Sequence, residues 1–218
     1  GEERGYAVIG ALGGVASSTA VAWGFARESR RDQSLGAAYA VGVVAACTVL
    51  FPRVVVVVSL LNPDVALAVL PYLAAPFVAG AAFSMWGGRA HRTSGEPAES
   101  MPRSPLRLGT ALQMAAAFQL VLLLMVIVRR HFGDAGVYTS AALFGATDVD
   151  ALSVAMTRTG DAAFVPVAAR AIGVGIASNT LLKLGLTLVI GRGAFRRRTA
   201  FALTVMLATL VASLLLLP

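Results

Sequence analysis

The sequence predicts an all-α membrane protein, a polytopic helical bundle of about seven transmembrane helices with an internal three-helix repeat. Three observations carry this. Of 218 residues 57% are hydrophobic and only 13% charged, with a mean hydropathy of +0.78, where a soluble domain holds about 25% charged residues. Apolar runs of about 20 residues, the length that crosses a bilayer, recur along the whole chain. Residues 5–53 also match 136–184 without a gap, at an offset of 131.

The spans follow in order. Segment one, Tyr6–Ala26, ends at the charged run Arg27–Asp32. Segment two, Leu35–Leu61, holds Pro52 and Arg53 and stops at the turn signal Asn62-Pro63-Asp64. Segment three, Val65–Trp86, contains Pro71 and Pro76, which are expected to kink it. Residues 87–107 are rich in Gly, Pro, Ser and charge, as a solvent-exposed linker is. Segment four, Leu108–Val128, stops at Arg129-Arg130-His131. Segment five, Ala135–Met156, carries Asp148 and Asp150, and segment six, Ala162–Ile190, carries Arg170, Asn179 and Lys183. Segment seven follows the basic loop Arg192–Arg198. The chain thus divides into a first three-helix repeat (1–86), a linker (87–107), a connecting transmembrane helix (108–134) and a second three-helix repeat (135–218).

The repeat pairs Gly14 with Gly145, Ala20 with Ala151, Arg27 with Arg158 and Gly42 with Gly173. Transporters and channels often arise by such duplication, with the site between the copies. Counting one crossing per segment makes the copies parallel. The positive-inside rule then leaves orientation open: eight arginines fall on one side and seven on the other.

The net charge of +7 comes almost entirely from arginines at segment ends, where they meet headgroups. No basic stripe interleaves with aromatics, so nucleic-acid binding is not expected. The single cysteine, Cys47, excludes an internal disulfide. His91 and His131 are expected at interfaces, without a metal role. Neither a dinucleotide fingerprint nor a Ser-His pair is present, so no enzyme activity and no cofactor are expected. Gly1 in place of Met is expected to mark either a trimmed chain or the C-terminal part of a longer protein.

Chemistry concentrates at Asp148 and Asp150. A carboxylate at bilayer depth costs roughly 2.5–3.5 kcal/mol on insertion scales, and such residues mark ion or proton paths. The repeat aligns Ser17 with Asp148 and Thr19 with Asp150. Residues i and i+2 do not share a face of a regular helix, so a single site needs a break, which Gly, Thr and Asp favour. A continuous helix in which Gly10/Gly14 and Ala38/Gly42/Ala46 simply pack closely is the alternative. The candidate ion or proton site is Asp148, Asp150, Thr147, Ser17, Ser18, Thr19 and Asn179, with Arg53, Arg170 and Lys183 balancing charge. An oxygen-rich set of this kind favours a hard cation. The other function class is a non-transporting membrane regulator or interaction domain whose buried polar residues are structural.

The segments Leu12-Gly-Gly-Val-Ala-Ser-Ser-Thr-Ala20, Phe51-Pro-Arg53, Gly133-Asp-Ala-Gly-Val-Tyr138 and Ala142-Leu-Phe-Gly-Ala-Thr-Asp-Val-Asp-Ala151 together resemble a bacterial membrane family. It is the domain of unknown function found C-terminal to an MgtC/SapB-type module. The resemblance implies a multi-pass protein of the bacterial inner membrane, an N-terminal membrane module as partner in a longer chain, and a loose tie to magnesium or other ion homeostasis. It assigns no transport residues. Membrane lipids, an inorganic ion and a second copy of the chain are the other expected partners.

Overall fold

A computed structural model describes residues 2–87, 136–158 and 162–217, and among these every regular element is helical. The linker, segment four, His91 and His131 lie outside the described residues. The elements are α1 (Glu2–Arg31), α2 (Gly36–Leu61), α3 (Pro63–Gly87), α4 (residues 136–147), α5 (Val149–Thr157), a 3₁₀ turn (Ala162–Phe164), α6 (Val165–Ile190) and α7 (Gly193–Leu216).

Four helices, α2, α3, α6 and α7, run 24 to 26 residues each, about 36–39 Å at 1.5 Å per residue. That length crosses a bilayer, and their outer faces suit lipid: Leu60, Leu67, Val189, Phe201 and Leu215 are all well exposed. Prolines 52, 71 and 76 sit inside α2 and α3 without ending them. Pro71 and Pro76 therefore do not break segment three. By length and composition five helices, α1 included, could span a membrane. The chain is a membrane-type helical protein.

Helix α1 does not use its length to cross. In a straight helix Tyr6 and Phe25 would stand about 28 Å apart, yet their ring centroids are 5.8 Å apart and both rings meet Tyr39 of α2. The reversal is at Ser17, which has extended backbone (φ −162, ψ 105) inside an otherwise helical run. The arm before Ser17 enters the bundle and the arm after it returns to the same end. The first arm lies along α2 at very short range: a methyl on Gly14 would fall 2.6 Å from Ala46 Cα, and one on Gly10 would strike the Gly42 carbonyl. The break read from the sequence is present at Ser17, so the alternative of a continuous helix is corrected, while the small-residue packing expected with it lies beside the break.

Helices α4 and α5 repeat the device. Asp148 is extended (φ −146, ψ 99) between them. Ala141 of α4 and Leu152 of α5 both crowd the one Cα face of Gly175, which a straight helix would prevent. Segments one and five are thus helical hairpins that turn back at mid-bundle, and their expected crossings are corrected on this geometry.

The hairpins open to opposite ends. Arg30 Nε donates to Ile190 O (2.8 Å) and the Arg192 N–H to Ser29 Oγ (3.2 Å), so α1 and α6 finish at one end, where α7 begins. Gly36 packs against the Phe195 backbone, and Phe83 of α3 against Phe201 of α7, which puts the start of α2 and the finish of α3 there as well. At the other end lie Asn62, between α2 and α3, and the contact of Arg170 of α6 with the Leu214 carbonyl of α7. Helix α6 starts at that second end, and the hairpin of α4 and α5 opens toward it. Helix α2 thus runs opposite to α6, and α3 opposite to α7. The parallel arrangement obtained from one crossing per segment is corrected: α2 and α6, which the offset of 131 pairs, run in opposite directions.

Candidate functional site

The two hairpin tips meet. A cleft of about 140 Å³ is lined by Ala16, Ser17, Ser18 and Thr19 from one tip and Thr147, Asp148, Val149 and Asp150 from the other. Leu50 and Arg53 of α2 and Asn179 of α6 complete it. All seven residues expected to form an ion site are in this lining.

Each tip is built the same way. Ser17 Oγ accepts the Ala20 N–H (3.2 Å), and Asp148 Oδ1 accepts the Ala151 N–H (2.9 Å). Each is the N-cap of the returning arm, which is why a short side chain with an acceptor oxygen stands at the reversal. The arriving arm ends in carbonyls that lack a partner further along their own helix, and side chains take several of them. Arg53 Nη1 donates to Gly14 O (3.0 Å) and Val15 O (2.7 Å). Asn179 Nδ2 donates to Ala146 O (2.9 Å), and Thr147 Oγ1 to Phe144 O (2.9 Å). Val15 and Ala146 stand 131 residues apart, so corresponding carbonyls are served by a side chain from the long helix beside each hairpin.

Arg53 also spans the cleft. Its Nη2 lies 2.6 Å from Asp150 Oδ2, with the arginine side chain 19% exposed and the aspartate 45%. One guanidinium therefore ties the tip of α1 to the tip of α5. Asp150 Oδ1 and Arg53 Nε are shielded and have no hydrogen-bond partner. Although Asp150 opens to the cleft as a whole, this one oxygen faces inward.

The other two expected counter-charges behave differently. Arg170 does not balance the aspartates, because its guanidinium caps the Leu214 carbonyl at the far end of α7. Lys183, one turn beyond Asn179, is 1% exposed and makes no ion pair among the described residues. Cys47, Arg53 and Asp150 are the ionisable groups near enough to act on it. The sequence offered Lys183 only as a counter-charge within a span, with no sign that its side chain would be enclosed. The described residues contain no cluster of three or more His, Cys, Asp or Glu side chains able to hold a metal.

Comparison with known proteins agrees with an assignment at the level of family. No solved structure matches the chain. An uncharacterized protein from Aquifex aeolicus (strain VF5) is 27% identical over 186 residues, covering 83% of this chain and 80% of its own. The profile of a domain of unknown function, DUF4010, matches residues 1–191, which include both hairpins and every residue lining the cleft. The chain belongs to the DUF4010 family.

Proposed function

We propose that the protein is an ion transporter or channel-like domain of the bacterial inner membrane, built as an inverted repeat, with a cation site between its hairpin tips. One observation carries the reading: two helices reverse at residues 131 apart, Ser17 and Asp148, and their tips line one polar cleft. Inverted repeats with discontinuous helices at the midplane are the arrangement by which many transporters hold ions. Irregular backbone at that depth is tolerated where it lines a cavity. Asp148 and Asp150 supply charge, Ser17, Ser18, Thr19, Thr147 and Asn179 supply neutral oxygens, and no catalytic role is assigned to any of them.

We place the cytoplasm at the end where, among the described residues, Arg27, Arg30, Arg31, Arg192, Arg196, Arg197 and Arg198 gather, against Arg158 and Arg170 at the other end, a placement that the positive-inside rule supports. An N-terminal MgtC/SapB-type module in the full-length protein, a homo-oligomer and bound lipids belong to the same proposal.

The purified protein in proteoliposomes, given sodium, potassium, magnesium and chloride gradients in turn, is expected to pass a cation. Asp148→Asn and Asp150→Asn are expected to stop it. A specific observation favours the second reading, a regulatory or interaction domain: both carboxylates already have structural partners, the Ala151 N–H and Arg53. Absence of flux for every ion, with the protein folded, decides for that reading.

A further inference from the structure

The Arg53 guanidinium rests on three oxygens from two different hairpins: Gly14 O at 3.0 Å, Val15 O at 2.7 Å and Asp150 Oδ2 at 2.6 Å. The two carbonyls end a helical arm, where the aligned peptide dipoles place negative partial charge. With the carboxylate they make an oxygen set of the kind that coordinates a hard cation. The fourth oxygen is at hand: Asp150 Oδ1 is shielded and has no hydrogen-bond partner. The hydroxyls of Ser17, Ser18, Thr19 and Thr147 line the same cleft. Arg53 is itself only partly committed, since its Nε is shielded and unpaired.

We propose that these oxygens form a binding locus for a small monovalent metal cation and that Arg53 occupies it as a built-in substitute, so that a cation binds there only when the guanidinium leaves. The inference rests on the cation-site reading and sharpens it, naming the competitor at the site. Charge is conserved in the exchange, because one positive group replaces another. The same exchange unlocks the tips: with Arg53 withdrawn, its link between α1 and α5 is gone, and a bound ion would have to hold both hairpins in its place. It can do so because the oxygens Arg53 now holds come from both, Gly14 and Val15 on one side and Asp150 on the other.

The test is cation-dependent thermal stability in detergent, with sodium, potassium or lithium chloride compared with choline chloride at equal ionic strength. The parent protein is expected to melt alike in all four salts. Arg53→Gln is expected to show a saturable rise in Tm with at least one alkali cation and none with choline, half-saturating at a concentration about tenfold or more below any response of the parent. Arg53→Lys, which keeps the charge, is expected to resemble the parent, and Arg53→Gln combined with Asp150→Asn to lose the response. Equal melting of Arg53→Gln in all four salts overturns the proposal, as does an equal rise with choline. If Arg53→Gln folds only in an alkali salt, that supports the proposal; if Arg53→Gln and Arg53→Asn both fail to fold in every salt, the proposal falls. A variant that answers to alkali cations in a parent that carries no flux would leave the locus standing and remove the transport reading.

Discussion

Ser17 and Asp148, 131 residues apart, hold the same position in two hairpins: each has extended backbone, and each accepts the N–H of the residue three further on, Ala20 or Ala151. The two side chains differ in charge, so the tips are alike in backbone and unlike in electrostatics. One brings a neutral hydroxyl to the cleft and the other a carboxylate.

The hairpins fix which loops share a side. In a Cys47→Ala background, Gly5→Cys and Ser34→Cys are expected to react with an impermeant maleimide from the same side, and Asp64→Cys from the opposite one. With the arginine-rich end cytoplasmic, the first two label in inverted vesicles and the third in whole cells. A straight α1 predicts opposite sides for Gly5 and Ser34, so that outcome would sink the hairpin.

Glycines separate by what surrounds them. A methyl at Gly145 would land on the Gly175 backbone, whereas nothing lies within 4 Å of one at Gly24 or Gly185. Gly145→Ala is expected to cost about 1–3 kcal/mol through overpacking. Gly24→Ala and Gly185→Ala are expected to be neutral or to stabilise by up to about 1 kcal/mol, since only backbone entropy changes. Melting temperatures of the three variants check this, and equal losses at all three would contradict the close packing of α4 on α6.

Lys183 offers a stability test that is independent of transport. An enclosed lysine without a carboxylate partner is expensive in either protonation form, so Lys183→Met, of similar volume and apolar, is expected to melt at or above the parent temperature. Lys183→Ala leaves a cavity and is expected to cost about 2–4 kcal/mol. A large loss in the Met variant would mean that the ammonium has a stabilising partner.

The tip caps are expected to separate folding from function. Asn caps a helix about as well as Asp, so Asp148→Asn is expected to change stability by less than about 0.5 kcal/mol while stopping cation flux. Ser17→Ala removes its cap and is expected to cost about 1 kcal/mol, with flux reduced rather than abolished. Flux in Asp148→Asn equal to that of the parent would take the carboxylate out of the site.

Much of the site is legible in the chain alone. The offset of 131 pairs Ser17 with Asp148, and the cost of a carboxylate at depth singles out Asp148 and Asp150. Arg53 is legible only as a cation inside a span; that it reaches Asp150 rather than Arg170 doing so depends on the depth of each along its helix. The reversal is hidden because the apolar run inside α1 has the composition of a crossing helix whether or not it turns back.

The sequence by itself determined that the chain is helical and membrane-type and where α2, α3 and α6 lie to within a few residues, because hydropathy and helix length are local properties; it misplaced the start of α7, since Arg192–Arg198 reads as a basic loop whereas the helix begins at Gly193. Only the tertiary structure decided that α1 and the α4–α5 pair turn back, that α2 and α6 run in opposite directions, and that Arg53 joins the two tips. Those outcomes depend on which carbonyls freed at each break find a donor on a neighbouring helix, Gly14 and Val15 on Arg53 and Ala146 on Asn179, and that pairing exists only once the helices are packed.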